Sequence, residues 1–257
     1  MTVVDAPGAS ALGLPAQVRA CLFDLDGVLT RTAAAHARAW QETFDEFLRD
    51  HAARTGTRFE PFGLESDYRT YVDGKARAEG VRSFLGSRGI GLPKGRPDDP
   101  ASADTVYGLG NRKNERLLAR LAQDGVDAHA DSVAYLLAAR GRGLRTAVVS
   151  ASANCREVLA AAGLEELFDA RIDGLVSARD GLRGKPAPDT YLAAAQALAV
   201  PPAQAAVFED ALAGIAAGRS GGFAFVVGVD RTRQGRALRA AGADVVVSDL
   251  RELLEPR

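Results

Sequence analysis

The sequence predicts an α/β fold, a Rossmann-like doubly wound parallel sheet whose chain is interrupted after the first strand by an all-helical insertion. Strand-like and helix-like segments alternate from about residue 128 onward, and such alternation produces a parallel sheet covered on both faces. One more strand-like run, Ala20–Phe23, stands far upstream, and the residues between show helical periodicity without strands. We therefore predict a discontinuous core domain from residues 1–33 and 128–257, and a helical cap domain from residues 34–127.

The composition indicates an ordinary globular protein. The chain has 257 residues, a formal net charge of −1 and 47% hydrophobic residues, so it can bury a core without disulfide bonds. A nearly neutral chain offers no broad basic surface for nucleic acid, and no apolar run is long enough for a membrane span. The start of the chain lacks the pattern of a signal peptide, and the two distant cysteines, Cys21 and Cys155, fit a reducing compartment. We expect a cytoplasmic monomer that acts on a small molecule, with neither a nucleic-acid nor a membrane partner.

Two long helices are predicted in the insertion. The first is capped by Thr32, ends near Gly56 and carries a row of mostly aromatic residues at helical spacing. The second begins at Asp104, ends at Gly125 and carries a row of leucines. The apolar faces consist of Trp40, Phe44, Phe47 and Leu48 in the first helix, and of Leu109, Leu117, Leu118 and Leu121 in the second.

The core domain is predicted to contain five further strands with helices between them. Apolar runs place these strands at residues 145–150, 170–172, 205–208, 223–227 and 244–247. Helices are expected at residues 152–162 and 188–198, after the fourth strand as far as residue 220, and between the last two strands. Pro188 supports the second of these helices, because proline is favoured at the first helical position.

Two pairs of acids stand at predicted strand ends. Asp24 and Asp26 follow the first strand and precede Gly27, which tolerates the positive φ of a tight turn, and Glu209 and Asp210 end a later strand. Because the carboxyl ends of the strands converge in a doubly wound sheet, these carboxylates should lie together. Carboxylates so close repel one another unless a cation, a shared proton or good solvation relieves the repulsion. Oxygen ligands of this kind suit Mg²⁺. The four acids therefore predict a Mg²⁺ site, although each pair alone also fits a solvated turn.

An anion site is predicted beside the cation site. Ser150 ends the second strand and is followed by backbone N–H groups, and Lys185 lies in a loop fixed by two prolines. Lys185 is one of only four lysines among 32 basic residues, and lysine and arginine are not equivalent, so its presence is consistent with a need for an ammonium. A hydroxyl, N–H groups and an ammonium together suit phosphate oxygens. Alone, Ser150 also fits a helix cap and Lys185 a surface residue.

These motifs, in this order, resemble the four signatures of the haloacid dehalogenase-like phosphotransferases. The first is the Asp24–Asp26 pair, the second Ser150, the third Lys185 and the fourth Glu209-Asp210. The resemblance implies that Asp24 is the nucleophile that forms an aspartyl-phosphate, and that Asp26 is the general acid/base. It also implies that Ser150 and Lys185 hold the phosphoryl group and that the cofactor is Mg²⁺.

Within that family, the chain resembles the β-phosphoglucomutase-like subfamily with a helical cap. The resemblance rests on residues in the first helix, on the loop after the second strand and on the cap, and it assigns all of them to substrate binding. They are Thr32, His36, Trp40, Gly74, Lys75, Arg77, Lys113, Asn114, Ala151, Ser152 and Asn154. In the cap, Arg77 is expected to grip the distal phosphate, and Lys113 with Asn114 to face the sugar.

The sequence departs from the subfamily pattern at two places. Asp73 stands where the relatives have a lysine before Gly74, and Lys75 follows that glycine instead. Ala130-Asp131 stand where many relatives have Pro-Gly at the exit of the cap. The resemblance implies a small phosphorylated sugar as substrate and the conversion of β-glucose 1-phosphate to glucose 6-phosphate. A phosphatase that hydrolyses small phosphomonoesters is the alternative, because both activities need the same first phosphate site.

Overall fold

The protein forms two compact units in a computed structural model that describes residues 9–254. Residues 9–31 and 126–254 belong to one unit, which we call the core unit. Thr32–Gly125 form the other, which we call the inserted unit. No helix among the described residues carries an apolar stretch of the length that a membrane span requires.

The core unit is built on one parallel sheet, which has six strands within the described residues. In chain order they are β1 (Ala20–Phe23), β2 (Arg145–Val149), β3 (Ala170–Ile172), β4 (Ala205–Glu209), β5 (Phe225–Val229) and β6 (Val245–Val247). Their spatial order is β3-β2-β1-β4-β5-β6, so the predicted doubly wound sheet is confirmed. Phe23 pairs with Val148 of β2 on one side and with Phe208 of β4 on the other. The winding direction reverses at β1, and ligands bind outside the carboxyl ends of strands at such a point.

Nine α-helices occur in residues 9–254, six of them in the core unit. The inserted unit contains α1 (Ala33–Thr55), α2 (Arg77–Ser87) and α3 (Val106–Asp124). The core unit contains α4 (Ala130–Gly141), α5 (Cys155–Ala161), α6 (Gly174–Asp180), α7 (Asp189–Ala197), α8 (Leu212–Ser220) and α9 (Gly235–Ala241).

The central strands are buried because helices cover both faces of the sheet. Every residue of β1 and β4 is buried, as expected of parallel strands between two helical layers. Leu22 points to one face and packs in the cluster that includes Tyr191 of α7. Phe23 points to the other face, where its ring stacks on Phe208 at 4.5 Å and meets Tyr135 of α4 edge-on. Because side chains alternate along β1, the strand contributes residues to the apolar layers on both faces of the sheet.

The inserted unit has an aromatic core of its own. Phe44 of α1 lies at its centre, with ring centroids 4.9 Å from Trp40, 5.1 Å from Phe62 and 4.3 Å from Phe84. The predicted helix is thus confirmed, and Gly56 ends it in the left-handed conformation. Helical spacing in the sequence identified the buried face because residues three or four apart share one side of a helix.

The predicted cap position of α1 is confirmed, whereas the predicted start of α3 is wrong. Thr32 occupies the N-cap position of α1, but its side chain makes no capping hydrogen bond. Helix α3 starts at Val106 instead of Asp104, because the Thr105 hydroxyl accepts the Gly108 N–H at 2.9 Å and so caps it. Asp104 instead pairs with Arg54 at 3.0 Å. Aspartate is at least as good an N-cap as threonine, so the start at Val106 depends on tertiary contacts such as the Arg54 pair of Asp104, which the local sequence does not show.

Other boundaries also differ from the prediction. Leu118 of α3 is 43% exposed, although it was expected on the apolar face. Strand β5 begins at Phe225 instead of residue 223, because the apolar run is longer than the strand and does not mark its start. Helices α4 and α6 were not predicted.

Candidate active site

Asp24 stands at the carboxyl end of the central strand β1. Its N–H donates to the Phe208 carbonyl of β4 at 2.9 Å, and its side chain is nearly buried. The chain then turns at Gly27, which has a φ of 88° and whose N–H donates to the Thr30 carbonyl at 2.8 Å. Asp26 is half-buried in that turn. The turn thus leaves two acids at the middle of the sheet edge, two residues apart.

Lys185 joins three strand ends. Its ammonium lies 2.5 Å from Asp24 Oδ1 and 2.6 Å from Glu209 Oε1, and it donates to the Val149 carbonyl at 3.2 Å. The residue is 2% exposed, so these contacts are made almost without water. A buried ammonium is stable only with such partners, because isolated burial of a charge costs several kcal/mol. Lys185 therefore fixes the carboxylates that follow β1 and β4 relative to each other.

Glu209 is fully buried and its carboxylate is held from three directions. Oε1 accepts from Lys185 and from the Tyr191 hydroxyl at 2.9 Å, while Oε2 accepts the Ala211 N–H at 3.0 Å. The backbone of α8 approaches so closely that a Cβ on Gly214 would stand 1.7 Å from Oε1. The carboxylate therefore has one allowed position, and it acts as a fixed support for Lys185.

The electrostatics of the site favour bound positive charge. Burial raises the pKa of Asp24 well above its ordinary value, and Lys185 opposes this effect while Glu209 and Asp26 add to it. Burial by itself would lower the pKa of Lys185, but the two carboxylates outweigh burial and raise that pKa. One ammonium thus faces several acids, and a further cation near Asp24 would hold its carboxylate ionised.

A divalent ion fits the remaining oxygens. Asp24, Glu209 and Asp210 each offer a carboxylate oxygen, and these oxygens lie within 4.8 Å of one another. All three residues are buried, and all offer the hard oxygen ligands that Mg²⁺ and Ca²⁺ take. Because Glu209 already accepts three hydrogen bonds, Asp24 and Asp210 are the better placed ligands.

Ser150 and the loop that follows it continue β2 at the same edge of the sheet. The register pairs Phe23 with Val148, so Ser150 comes level with the turn that carries Asp24. Its hydroxyl accepts the Ser152 N–H at 3.0 Å, and the Ser152 hydroxyl accepts the Asn154 N–H at 3.1 Å. These serine turns delay helix α5 until Cys155, three residues after its predicted start. Ala151 is half-buried between the two serines.

Three of the predicted substrate-binding residues lie together in the inserted unit. The ammonium of Lys113 lies 3.2 Å from His36 Nδ1 and 5.2 Å from the ring centroid of Trp40. Lys113 is only 2% exposed, and Asn114 follows it on α3. Thr32 begins the helix that carries His36 and Trp40.

The other predicted residues of the inserted unit lie around the start of α2. Gly74 has a φ of 70°, and Lys75 donates to the Thr70 carbonyl at 3.2 Å and to Ser83 Oγ at 3.1 Å. Arg77 begins α2 and donates to the Gly110 carbonyl at 3.4 Å. Burial lowers the pKa of both Lys75 and Arg77. Lys75 thus binds back onto α2 through Ser83.

Three residues of the site were not found by sequence reasoning. Tyr191 and Gly214 fix Glu209, and Gln234 donates its amide N–H to the Asp210 carbonyl at 2.8 Å. A glycine inside a helical pattern was the available signal for Gly214, because such a glycine usually marks a close approach. Tyr191 and Gln234 gave no comparable local signal.

Comparison with known proteins places the chain in a family. The model of the haloacid dehalogenase-like hydrolases matches residues 18–222. The β-phosphoglucomutases of Mycobacterium bovis and Mycobacterium tuberculosis are 57% identical over 248 residues, covering 95% of this chain and 94% of theirs. The validoxylamine A 7′-phosphate phosphatase of Streptomyces hygroscopicus is 33% identical over 244 residues, covering 93% and 97%.

A solved structure shares the fold. The β-phosphoglucomutase of Clostridium difficile superimposes with a TM-score of 0.69 over 92% of this chain and 93% of its own, at 24% identity. That similarity agrees with the six-stranded parallel sheet of the core unit. The chain belongs to the haloacid dehalogenase-like hydrolase family.

Proposed function

We propose that this enzyme is a Mg²⁺-dependent β-phosphoglucomutase that converts β-glucose 1-phosphate to glucose 6-phosphate through an aspartyl-phosphate. The 57% identity to two mycobacterial β-phosphoglucomutases, over 95% of the chain, carries the proposal. The buried group of Asp24, Lys185 and Glu209 supports it, because phosphoryl transfer is catalysed mainly by positioning and electrostatics.

Asp24 is the proposed nucleophile. Lys185 binds its Oδ1 at 2.5 Å, so we assign the attack on phosphorus to Oδ2. A bond forms between Oδ2 and the phosphorus on C1 of glucose 1,6-bisphosphate while the bond from that phosphorus to the sugar oxygen breaks, which leaves glucose 6-phosphate. Lys185 and Ser150 are proposed to hold the equatorial oxygens, since an ammonium and a hydroxyl both donate to a phosphoryl group.

Asp26 is the proposed general acid/base. Its place two residues after Asp24 suits a group that protonates the departing sugar oxygen and then deprotonates the accepting hydroxyl. In the other half of the reaction, the phosphoryl group passes from Asp24 to the free hydroxyl of β-glucose 1-phosphate, so that the bisphosphate forms again and the Asp24 carboxylate is released. For Asp26→Ala we expect a loss of kcat on the order of 10²–10⁴-fold, the usual contribution of acid–base catalysis. A loss of less than about tenfold would contradict this role.

Mg²⁺ is the proposed cofactor. Asp24, Asp210 and the backbone carbonyl of Asp26 would hold it, with Glu209 beside them. When bound, the ion supplies positive charge against the phosphoryl group and Asp24. The support is the set of buried oxygens within 4.8 Å of one another. Dialysis against EDTA should abolish turnover, and added Mg²⁺ should restore it.

The inserted unit is proposed to act as a cap that binds the sugar phosphate. Arg77, with Ser152 and Asn154, would hold the second phosphate, and His36, Trp40, Lys75, Lys113 and Asn114 would line the sugar site near Thr32 and Gly74. The support is the grouping of Lys113 with His36 and Trp40 in one buried cluster. We also propose that the enzyme is a cytoplasmic monomer without nucleic-acid partners.

One assay tests the proposed reaction. β-Glucose 1-phosphate is supplied with catalytic glucose 1,6-bisphosphate, and glucose 6-phosphate and free phosphate are both measured. We expect glucose 6-phosphate to dominate and Asp24→Asn to abolish turnover. Near wild-type activity in purified, folded Asp24→Asn would refute the assignment of Asp24 as the nucleophile.

A phosphatase is the second candidate. It is favoured by the 33% identity to a Streptomyces phosphatase that this chain covers over 97% of its length. Both reactions would use Asp24 and Asp26, but hydrolysis needs water as the acceptor in place of a sugar hydroxyl. Dominant release of phosphate from a range of phosphomonoesters would establish this candidate instead.

A further inference from the structure

The loop that follows β5, residues 230–235, has a fixed shape. The Asp230 carboxylate accepts the backbone N–H groups of Thr232, Gln234 and Gly235 at 3.2, 2.8 and 2.9 Å. Arg233 adopts a φ of 59°, which a non-glycine residue takes up only where its surroundings enforce it. The backbone of this loop therefore holds its side chains in defined positions.

One side chain of the 230–235 loop supports the proposed metal-binding turn. Gln234 donates its amide N–H to the backbone carbonyl of Asp210 at 2.8 Å. Strand β4 ends at Glu209, so this carbonyl lies beyond the last residue of the strand. The hydrogen bond therefore fixes the peptide from which the Asp210 carboxylate projects.

Another side chain of the same loop is fastened to the start of α4. Arg231 donates to Asp131 Oδ2 at 2.7 Å and to Ser132 Oγ at 3.1 Å, and it also donates to the Ser248 carbonyl at 2.7 Å. Asp131 additionally accepts the Leu250 N–H at 2.9 Å. Both Asp131 and Ser132 are buried, so these contacts are shielded from water.

The chain of contacts ends at the turn that carries Asp24 and Asp26. The Ser132 hydroxyl donates to the Val28 carbonyl at 2.6 Å, two residues after Asp26. The 230–235 loop is thus connected to one acid-bearing turn through Gln234, and to the other through Arg231 and Ser132. None of these three side chains belongs to the set of oxygens that could hold a metal.

We propose that Gln234 and Arg231 are positioning residues that hold the turns of Asp24 and Asp210 at the separation that a divalent cation requires. The inference rests on the proposed function, since it concerns the metal site of that reaction. Groups that orient metal ligands without touching the metal typically change metal affinity by about 10–100-fold when removed. Substitution of either residue should therefore weaken metal binding without altering a metal ligand.

The test measures Mn²⁺ binding by electron paramagnetic resonance of the free ion, with Mg²⁺ as competitor and no substrate present. Gln234→Met keeps the length of the side chain but cannot donate, and Arg231→Met removes the guanidinium. We expect the Mn²⁺ Kd to rise about tenfold in each variant. The double variant should show less than the product of the two effects, because residues acting through one loop are not additive.

Arg219→Met is the matched control, because Arg219 pairs with Asp244 at 3.4 Å on the exposed surface of the same unit. It should leave the Kd unchanged. In Gln234→Met the Mg²⁺ concentration needed for half-maximal activity should rise with the Mn²⁺ Kd, and activity should increase as Mg²⁺ is added, a pattern that general damage to the fold would not give. If Arg231→Met does not fold, Gln234→Met decides the question.

The outcomes separate this inference from the function on which it rests. Wild-type affinity for Mn²⁺ in folded Gln234→Met would overturn the positioning role, while the proposed reaction would stand. If the wild-type protein bound Mn²⁺ no better than Asp210→Asn does, the proposed metal site itself would be refuted. Weaker binding in Gln234→Met and unchanged binding in Arg219→Met would support the inference.

Discussion

The side chains around Glu209 show how single residues determine the chemistry of the site. Lys185 and Tyr191 both donate to Oε1 of Glu209, and burial raises the pKa of Tyr191 well above its ordinary value, with a further rise from Glu209. The tyrosine is therefore a neutral donor throughout the ordinary pH range. A neutral donor and an ammonium on one carboxylate stabilise its charge without adding another acid. Glu209 thus has two donors on one oxygen in a fully buried position.

Gly214 is predicted to be essential for this arrangement. In Gly214→Ala the new Cβ would overlap Glu209 Oε1, because the two atoms would lie 1.7 Å apart. Either α8 or the carboxylate must move, and Lys185 would follow Glu209. We expect a loss of about 1–3 kcal/mol in the free energy of unfolding and at least about a tenfold loss of kcat. Urea denaturation and the coupled assay measure the two effects.

Gly141→Ala supplies the control for that substitution. Gly141 ends α4 in the same unit, and a Cβ added there would meet nothing within 4 Å. Alanine is the better helix former, so this variant should be as stable as the wild type or up to about 1 kcal/mol more stable. Equal effects of the two substitutions would show that helix propensity, and not the contact with Glu209, governs Gly214.

Among the secondary-structure elements, the short helix α6 supports the serine loop after β2. Its N-cap residue, Asp173, accepts the N–H groups of Leu175 and Val176 at 3.0 and 2.9 Å and pairs with Arg171 at 2.8 Å. The next residue, Gly174, donates its N–H to the Ser152 carbonyl at 3.0 Å. The position of a proposed substrate-binding serine thus depends on how α6 begins.

Substitutions of Asp173 should separate its two roles. Asp173→Ala removes the cap and the ion pair, and we expect it to lower the free energy of unfolding by about 1–2 kcal/mol. Asp173→Ser restores a capping oxygen and should regain about half of that loss. Because loss of the cap loosens the start of α6, the Gly174 N–H that binds the Ser152 carbonyl is held less firmly. KM for the sugar phosphate should therefore rise in the alanine variant more than kcat falls. Equal stability of the two variants in urea denaturation would rule out capping as the main role.

The sequence allowed prediction of those elements whose pattern is local. Strand β1 with its following acids and the aromatic face of α1 each depend on residues close in sequence, and both were identified. Helix α6 is seven residues long, and its start is set by Asp173 and by contact with Ser152. Too few turns are present for a periodic pattern to be recognised in such a helix.

The contacts that fix the site could not be predicted for a related reason. Tyr191 and Glu209 are 18 residues apart, and Gln234 and Asp210 are 24 apart. Each of these side chains also fits an ordinary position, a core tyrosine on α7 or a glutamine in a loop. Only the fold brings them to their partners, so a single sequence gives no sign of their role.

For the whole molecule, the insertion is accommodated by a short paired segment in the core unit. Arg31 donates its N–H to the Asp127 carbonyl at 2.8 Å, and Thr30 forms an antiparallel bridge with Ala128. The His129 N–H then donates to the Leu29 carbonyl at 2.8 Å. The outgoing and returning chains therefore satisfy each other's backbone groups, and the sheet itself needs no change to accept the insertion.

The same segment is predicted to make the stability of the protein depend on pH. His129 is nearly buried, and its pKa is lowered to about 4 by burial first and then by Arg231 and Arg31, with Asp131 opposing. The unfolded chain takes up this proton near its ordinary pKa of about 6.5. Between those values the unfolded state binds more protons than the folded state, so stability decreases as pH falls from 6.5 to 4. Below pH 4 this contribution is constant.

His129→Gln should remove that part of the pH dependence, because glutamine does not titrate. From pH 7 to 8 the two proteins should differ by a constant free energy of unfolding. Toward pH 4 the wild type should lose roughly 1–3 kcal/mol relative to the variant, since one pKa unit corresponds to about 1.4 kcal/mol. Urea denaturation in EDTA at several pH values measures this difference and avoids acid release of a bound cation. If the difference in free energy of unfolding between the two proteins stayed constant down to pH 4, His129 would be protonated as readily in the folded protein as in the unfolded chain. That result would refute the prediction that the buried imidazole of His129 is neutral.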